Sequence, residues 1–245
     1  MSEDEPCYLY GFLRPPAAPL PELVGVFGAR VQLQVDGDLA ALVSPVPRGA
    51  QRATRSDVLA HSEVLQALLP DHDIVPAAFG TVYPEGLDVA ALPRGERRAL
   101  SRLVDELSDR VEVQVRATYD EAGATATIVD GDARLRRMRA RKQDYSTQLA
   151  IGTRFAELLD RQRRSDTTTA AKRLSRIAER VAVDTPQGEW GAFRLSLLVQ
   201  RRKLDDLERA LAAMADEAGS HLTIDWVGPL PPYSFVQPAA KRRAG

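Results

Sequence analysis

The 245-residue sequence holds one cysteine, three histidines and few aromatic residues, 6% of the chain. A lone Cys7 excludes an internal disulfide and fits a reducing cytoplasm; it is expected as a small apolar residue in a first strand. His61, His72 and His221 do not pair with one another or with Cys7 at metal-ligand spacing. The HExxH, CxxC and zinc-finger patterns are missing, so no metal site is expected. A GxSxG elbow, a Walker A loop and the three-glycine dinucleotide fingerprint are missing as well. Gly25-Val26-Phe27-Gly28 has the GxxG spacing of a KH loop, but it precedes a strand and lacks basic flanks. Asp36 and Asp38 flank a glycine, yet two carboxylates fall short of a calcium loop, and a hairpin turn explains them. No apolar run is long enough to cross a bilayer, and Met1-Ser2-Glu3-Asp4-Glu5 lacks the apolar segment of a signal peptide. These absences lead to the expectation of a non-enzyme without catalytic residues, cofactor, metal or membrane span.

What is present is a normal globular balance, with 44% hydrophobic and 27% charged residues. The formal net charge of −1 is unevenly spread. Residues 1–131 carry 11 Lys+Arg against 20 Asp+Glu, a net of −9, and residues 132–182 carry 14 against 6, a net of +8. Residues 183–245 carry 8 of each. The basic middle reads either as a solvated helical face or as a surface for an acidic partner or nucleic acid. Its shortage of aromatic residues for base stacking, and the overall charge, weigh against nucleic acid.

Periodicity places the elements. Cys7–Leu13 reads as a strand with Tyr8, Tyr10 and Phe12 on one face, followed by the stiff loop of Pro15, Pro16, Pro19 and Pro21. Val31, Leu33 and Val35 alternate, Asp36-Gly37-Asp38 turns, and Leu39–Val46 returns as an apolar strand covered on both faces. Thr54 with Asp57 three residues later resembles a capping box, opening a helix with Val58, Leu65, Leu68 and Leu69 on its inner face. Ile74–Val82 is extended and broken by Pro76 and Gly80. Leu100, Leu103, Val104 and Leu107 form a helical stripe, and Val111, Val113, Val115 and Ala117 a strand. Between about 132 and 182 the pattern is helical, with Ile151, Phe155, Leu158 and Leu159 on one face and Leu174, Ile177, Ala178 and Val181 on another. Ser165-Asp166-Thr167-Thr168-Thr169 reads as the turn of an antiparallel helical hairpin. Strand Leu195–Val199, a helix over Leu204–Met214 closing at Gly219, and strand Leu222–Trp226 follow. Pro229, Pro231 and Pro232 then exclude helix interior or central strand and predict an extended tail bearing Tyr233 and Phe235. Lys241-Arg242-Arg243 sits at the end. Tyr8, Tyr10, Phe12, Phe79, Trp226 and Phe235 are expected in the core.

Three blocks, in this order, resemble the GvpF/GvpL family of gas vesicle accessory proteins. The first is Tyr8-Leu9-Tyr10-Gly11, then Gly25–Gly28, then Asp36-Gly37-Asp38 with Leu39–Ser44. The second is Thr54–Leu69, containing His61, followed by Val75-Pro76 and Phe79-Gly80-Thr81-Val82. The third is Val111-Glu112-Val113 and finally Gly228-Pro229-Leu230-Pro231-Pro232-Tyr233-Ser234-Phe235. One departure stands out: Ala77-Ala78 occupy the place where the family pattern leads us to expect an arginine. The resemblance implies an α+β fold of two domains. Residues 1–120 would form a modified ferredoxin-like domain. Residues 121–245 would form a second α+β domain with the helical hairpin (helical segment about 132–182, strand–helix–strand about 192–227, proline-rich tail 228–238). It implies a cytoplasmic, gas vesicle-associated assembly factor, a minor vesicle component. Its partners would be the hydrophobic shell protein of GvpA/GvpB type and other accessory proteins, with no nucleic acid and no membrane. The motif residues Tyr8, Tyr10, Gly11, Asp38, Leu39, Pro76, Phe79, Gly80, Thr81, Gly228, Pro229, Pro231, Pro232, Tyr233 and Phe235 are expected as scaffold. The basic helical residues Arg154, Arg161, Arg163, Arg164, Lys172 and Arg173 are expected to meet a partner. A nucleic-acid-binding regulator using that basic segment is the alternative, and a small-molecule enzyme the third reading.

Overall fold

The structure is a computed structural model that describes residues 5–47, 54–140 and 144–236. It is α+β and divides into two compact units, Met1–Glu112 with Pro229–Gly245, and Val113–Gly228. Lys241, Arg242 and Arg243, and the last two positions of the expected 228–238 tail, lie outside the described residues.

The sheet of the first unit joins β1 (Cys7–Leu13), β2 (Gln32–Asp36), β3 (Leu39–Pro45) and β4 (Ile74–Pro76) in the order β2-β3-β1-β4. A short β5 (Val82–Tyr83) also pairs with β1. β1 is buried at all seven positions and β3 at its first six, as continuous apolar strands with both faces covered should be. Two helices pack on these strands: α1 (Arg55–Leu68) against β1 and β4, and α2 (Arg94–Leu107) against β1, β3 and β4. The capping box of α1 is complete, with Thr54 and Asp57 satisfying each other's backbone N–H.

Two local readings are corrected. The pairing of β1 with β3 shifts register between Leu9 and Gly11, a bulge at Tyr10. One extra residue inverts the alternation beyond it. Leu13, not Phe12, therefore joins Tyr8 and Tyr10 in the core formed with Val64, Leu65 and Leu68. On α1, Val58 faces outward at 43% exposure, and the buried side is Asp57, His61, Val64, Leu65 and Leu68.

The second sheet joins β6 (Arg110–Tyr119), β7 (Arg180–Asp184), β8 (Gly191–Gln200) and β9 (Leu222–Leu230) in the order β7-β8-β6-β9. The division between units falls inside β6 and β9. Between β6 and β7 run α3 (Glu121–Gly131), α4 (Ala133–Arg139) and α5 (Tyr145–Leu174); α6 (Leu204–Ala218) links β8 to β9. This is the β-α-β-β-α-β sequence of ferredoxin-like folds, with the first helix expanded into three. The first unit has the equivalent strand order. There the proline loop and a 3-10 turn at Val26–Gly28 stand in place of the first helix.

Ser165–Thr169 is not a turn, since α5 runs straight through it for 30 residues. Thr167 and Thr168 donate their hydroxyls to the Arg163 and Arg164 carbonyls, and Asp166 accepts from Tyr119 Oη at 2.6 Å. Side chains able to cap a helix thus bond within it or to a neighbouring strand. One helix ends instead at Arg139 and the next, α5, begins at Tyr145. Leu174 ends α5, so Ile177 and Ala178 sit in the link to β7, while Ala170, Leu174 and Ala178 all enter the core of the second unit. At the C-terminus, β9 extends through Pro229 as an edge strand, and Tyr233–Phe235 form a 3-10 turn in place of an extended tail.

Candidate functional site

The first unit gathers five of the motif residues, Tyr8, Tyr10, Phe79, Gly80 and Tyr233, around one imidazole. β1 supplies Tyr8 and Tyr10, the middle of α1 supplies His61, the loop after β4 supplies Phe79 and Gly80, and the C-terminal turn supplies Tyr233 and Ser234. His61 is 2% exposed. Its Nδ1 lies 3.0 Å from Tyr8 Oη and its Nε2 lies 2.8 Å from Tyr233 Oη. Tyr8 Oη also accepts the Gly80 N–H at 3.0 Å, where Gly80 has φ +86°, a conformation that suits glycine. With that acceptor position used, the Tyr8 proton points to Nδ1 and the imidazole keeps its own proton on Nε2 for Tyr233. Tyr10 stacks on His61 at a ring separation of 5.6 Å, and Phe79 meets it edge-on at 5.7 Å.

The surrounding backbone is fitted to these rings. Tyr10 Oη accepts the N–H of buried Val26 at 2.8 Å and pairs with Ser44 Oγ at 2.9 Å. A Cβ on Gly25 would lie 1.9 Å from that hydroxyl, so the Gly25–Gly28 loop closes over Tyr10 only with glycine there. Phe27, at φ +59°, donates its N–H to Asp57 Oδ1 at 3.0 Å. Gly11 faces β4 so closely that a Cβ would lie 2.5 Å from the Val75 carbonyl oxygen, opposite Pro76.

The tail is held at a second point. Ser234 donates its N–H and its hydroxyl to the two carboxylate oxygens of Glu112, each at 2.8 Å. Glu112 is fully buried, although strand alternation reads it as a solvent-facing position. Pro231, Pro232 and Phe235 are buried beside them.

Burial sets the electrostatics. It lowers the His61 pKa to about 4 and raises that of Tyr8 to about 12. It also raises Tyr233 and Tyr10. Asp57 is held below the usual carboxylate range by the Thr54 and Phe27 N–H groups and the Thr54 hydroxyl. A neutral imidazole between two firmly protonated phenols is a hydrogen-bond clamp and a poor proton carrier near neutral pH. Among the described residues no cluster of three or more His, Cys, Asp or Glu could hold a metal ion, and no helix is long and apolar enough to cross a membrane.

Around this clamp the surface is apolar. Val58 on α1, Phe79, Val82 and the ring of Tyr233 are between 38% and 43% exposed. Val82 pairs with Tyr8 across the strands, and Phe79 and Tyr233 both touch His61, so the exposed groups rim one buried cluster. Phe79, expected in the core, belongs to this rim, and Trp226 is also 37% exposed. Sequence reasoning missed the clamp, but one signal for it was present. Asp57 and His61 stand at i and i+4 in line with Val64 and Leu68, polar residues in the inward stripe of a helix.

The remaining predicted residues lie apart. Asp38 bonds Arg14 at 2.5 Å and Ser101 at 3.0 Å, Leu39 opens β3, and Thr81 donates its hydroxyl to the Ala78 carbonyl. Gly228 and Pro229 are exposed near the end of β9. In the second unit the basic residues do not form one free surface. Arg154 pairs with Asp132 at 2.7 Å, Arg163 bonds Asp160 and the Gly191 carbonyl, and Arg173 pairs with Glu217. Arg161, Arg164 and Lys172 are exposed.

Comparison with known proteins covers nearly the whole chain. Residues 6–237 match the family described as "Gas vesicle synthesis protein GvpL/GvpF". A Streptomyces sp. protein called gas vesicle protein F is 33% identical over 94% of this chain and 99% of its own. Its Haloferax mediterranei counterpart is 28% identical over 94% and 92%. The crystal structure of GvpF from Anabaena sp. PCC7120 superposes with a TM-score of 0.82 at 23% identity, covering 95% of this chain and 98% of that one. GvpF from Microcystis aeruginosa does so at 0.78 and 18% identity, covering 95% and 99%.

Proposed function

This chain belongs to the gas vesicle synthesis protein GvpL/GvpF family, and from that membership we propose that it is a non-enzymatic assembly factor that shields the hydrophobic vesicle shell subunit before its incorporation. The observation that carries this reading is the apolar rim of Val58, Phe79, Val82 and Tyr233 set on a hydrogen-bonded base. A subunit whose assembled surface faces gas exposes apolar area beforehand, and uncovered apolar strands aggregate. A soluble partner protects them best with exposed apolar groups that are held in place, because little order is then lost on binding. The exposed cations Arg161, Arg164 and Lys172 would act on encounter rate and orientation more than on affinity. Docking of other accessory proteins would use the same soluble, mixed surface.

Co-expression with the shell subunit tests this. The expected result is soluble shell subunit that co-elutes with this chain, and loss of that co-elution with Phe79→Glu/Val82→Glu. An Arg161→Glu/Arg164→Glu variant should co-elute at equilibrium but capture more slowly. Shell subunit that stays insoluble beside the soluble wild-type chain would overturn the capture role.

A further inference from the structure

We propose that the N-terminal half of α5, in the second unit, is a dimer surface that pairs antiparallel with the same segment of a second copy of this chain. The two halves of α5 have different surroundings. In the second half, Arg163, Asp166, Ala170 and Leu174 form an inward stripe. Arg163 bonds the Gly191 carbonyl at 2.8 Å, Asp166 accepts from Tyr119 Oη at 2.6 Å, and Ala170 and Leu174 enter the core of the unit. Followed back toward the helix start at helical spacing, the same stripe runs through Leu159, 6% exposed, to Ala156, Gly152, Leu149 and Tyr145.

There the stripe is uncovered. Tyr145 is 82% exposed and Leu149 62%. Gly152 and Ala156 are exposed as well, and a Cβ on Gly152 would meet nothing within 4 Å. The inward side of the helix thus continues bare for about 16 Å, or three turns at 1.5 Å per residue.

The order of side chains along this stretch commits it to its own copy. From Tyr145 to Ala156 it reads large, large, small, small. Turned end for end, that order is its own complement: Tyr145 lies over Ala156 of the partner subunit, and Leu149 over Gly152 of the partner subunit. A parallel pair would set tyrosine on tyrosine and leave a gap between the small residues. The antiparallel pair has a two-fold axis between Leu149 and Gly152, so it closes as a dimer and does not grow into a filament. Charge permits the pairing. Tyr145–Thr153 holds no charged residue, in a chain that is 27% charged, so two copies meet without like-charge repulsion. An acidic or basic partner would find no counter-charge there, because Arg154, the next residue, is turned to Asp132 at 2.7 Å. A strip about 16 Å long and one helix diameter, about 10 Å, wide buries less than the roughly 800 Å² per partner of a standard interface. The dimer is therefore weak and fills with concentration.

Sedimentation equilibrium of the full chain from about 5 to about 500 µM tests the assignment, since contacts with a Kd near 0.1 mM register in that range. The weight-average mass should rise from the monomer value of 26.9 kDa toward twice that. Tyr145→Ser/Leu149→Ser should abolish the rise, with unchanged circular dichroism. Gly152→Trp separates seated pairing from general stickiness. It adds apolar surface where space is open, so the monomer tolerates it, but it fills the seat of Leu149 and should weaken association at least about tenfold. A mass of 26.9 kDa at every concentration would overturn the proposal and leave the stripe to a different protein. So would a rise that survives Tyr145→Ser/Leu149→Ser, or one that Gly152→Trp leaves unchanged or strengthens. No shell subunit enters this assay, so its outcome is separate from that of the capture experiment.

Discussion

Protonating His61 places a cation in a site that is 2% exposed, with both ring nitrogens already engaged by Tyr8 and Tyr233. Its folded pKa of about 4 lies below its ordinary value of 6.5. The folded state thus binds fewer protons than the unfolded state between those values. The stability that comes with neutral His61 is fully present above pH 6.5 and is lost as pH falls toward 4. The shift corresponds to about 3 kcal/mol in full, most of it gone by pH 4.5. Asp57, Asp38 and Asp132, whose pKa values are lowered, withdraw their contributions only below the usual carboxylate range. Urea midpoints measured from pH 7.5 to 4.5 should therefore fall steeply in the wild type. They should fall much less in His61→Gln, which starts lower. Parallel slopes in the two proteins would show that the imidazole is not held neutral. The sequence shows only a hint of this, with His61 a polar residue in the inward stripe of a helix, and it shows Glu112 merely as one polar residue on an alternating strand.

At the scale of elements, the sequence is most readable where a period repeats and least where one residue interrupts it. Alternation marks β2, β6, β8 and the first half of β9, and Thr54 with Asp57 marks the start of α1. A single bulged residue in β1 is enough to exchange Phe12 for Leu13 on the face shared with Tyr8 and Tyr10, while Phe12 stays buried, and only Gly11 within the strand hints at it. In α5 the polar run Ser165–Thr169 has the chemistry of a turn, but tertiary contacts decide otherwise, since Tyr119 takes Asp166 and the core takes Ala170 and Leu174. Gly11 permits the close approach of β1 and β4, where an added Cβ would lie 2.5 Å from a carbonyl oxygen on backbone that has no flexible end to yield. Gly11→Ala should accordingly destabilise by about 1–3 kcal/mol, the range of overpacked sites. Gly152→Ala, on an open helix face, should stabilise by about 0.5–1 kcal/mol. Thermal melts of the pair separate a steric role from a general glycine effect, and equal changes of the same sign would contradict it.

Across the whole molecule the same strand order appears twice, yet no internal repeat shows in the sequence, because strand order is kept by burial pattern and not by residue identity. Chain order also conceals that the residues from Pro229 onward group with the first unit. The consequence is that the first unit is completed by the last segment of the chain. Its buried His61 and Glu112 have their hydrogen bonds filled by Tyr233 and Ser234, and a buried carboxylate or imidazole left without such partners costs on the order of 1–3 kcal/mol each. Truncation after Leu230 also removes the buried Phe235 side chain. We therefore expect the truncated chain to lose several kcal/mol of stability in the first unit specifically. Native-state hydrogen exchange should show this as reduced protection of β1, β3 and α1, with the amides of α5 and β8 little changed. The double variant Tyr233→Phe/Ser234→Ala keeps the apolar anchor and should show a smaller loss confined to the same elements. Uniform loss of protection over both units in the truncated chain would mean that the tail serves the molecule as a whole. Unchanged protection of β1 and α1 would mean that His61 and Glu112 are not held by it.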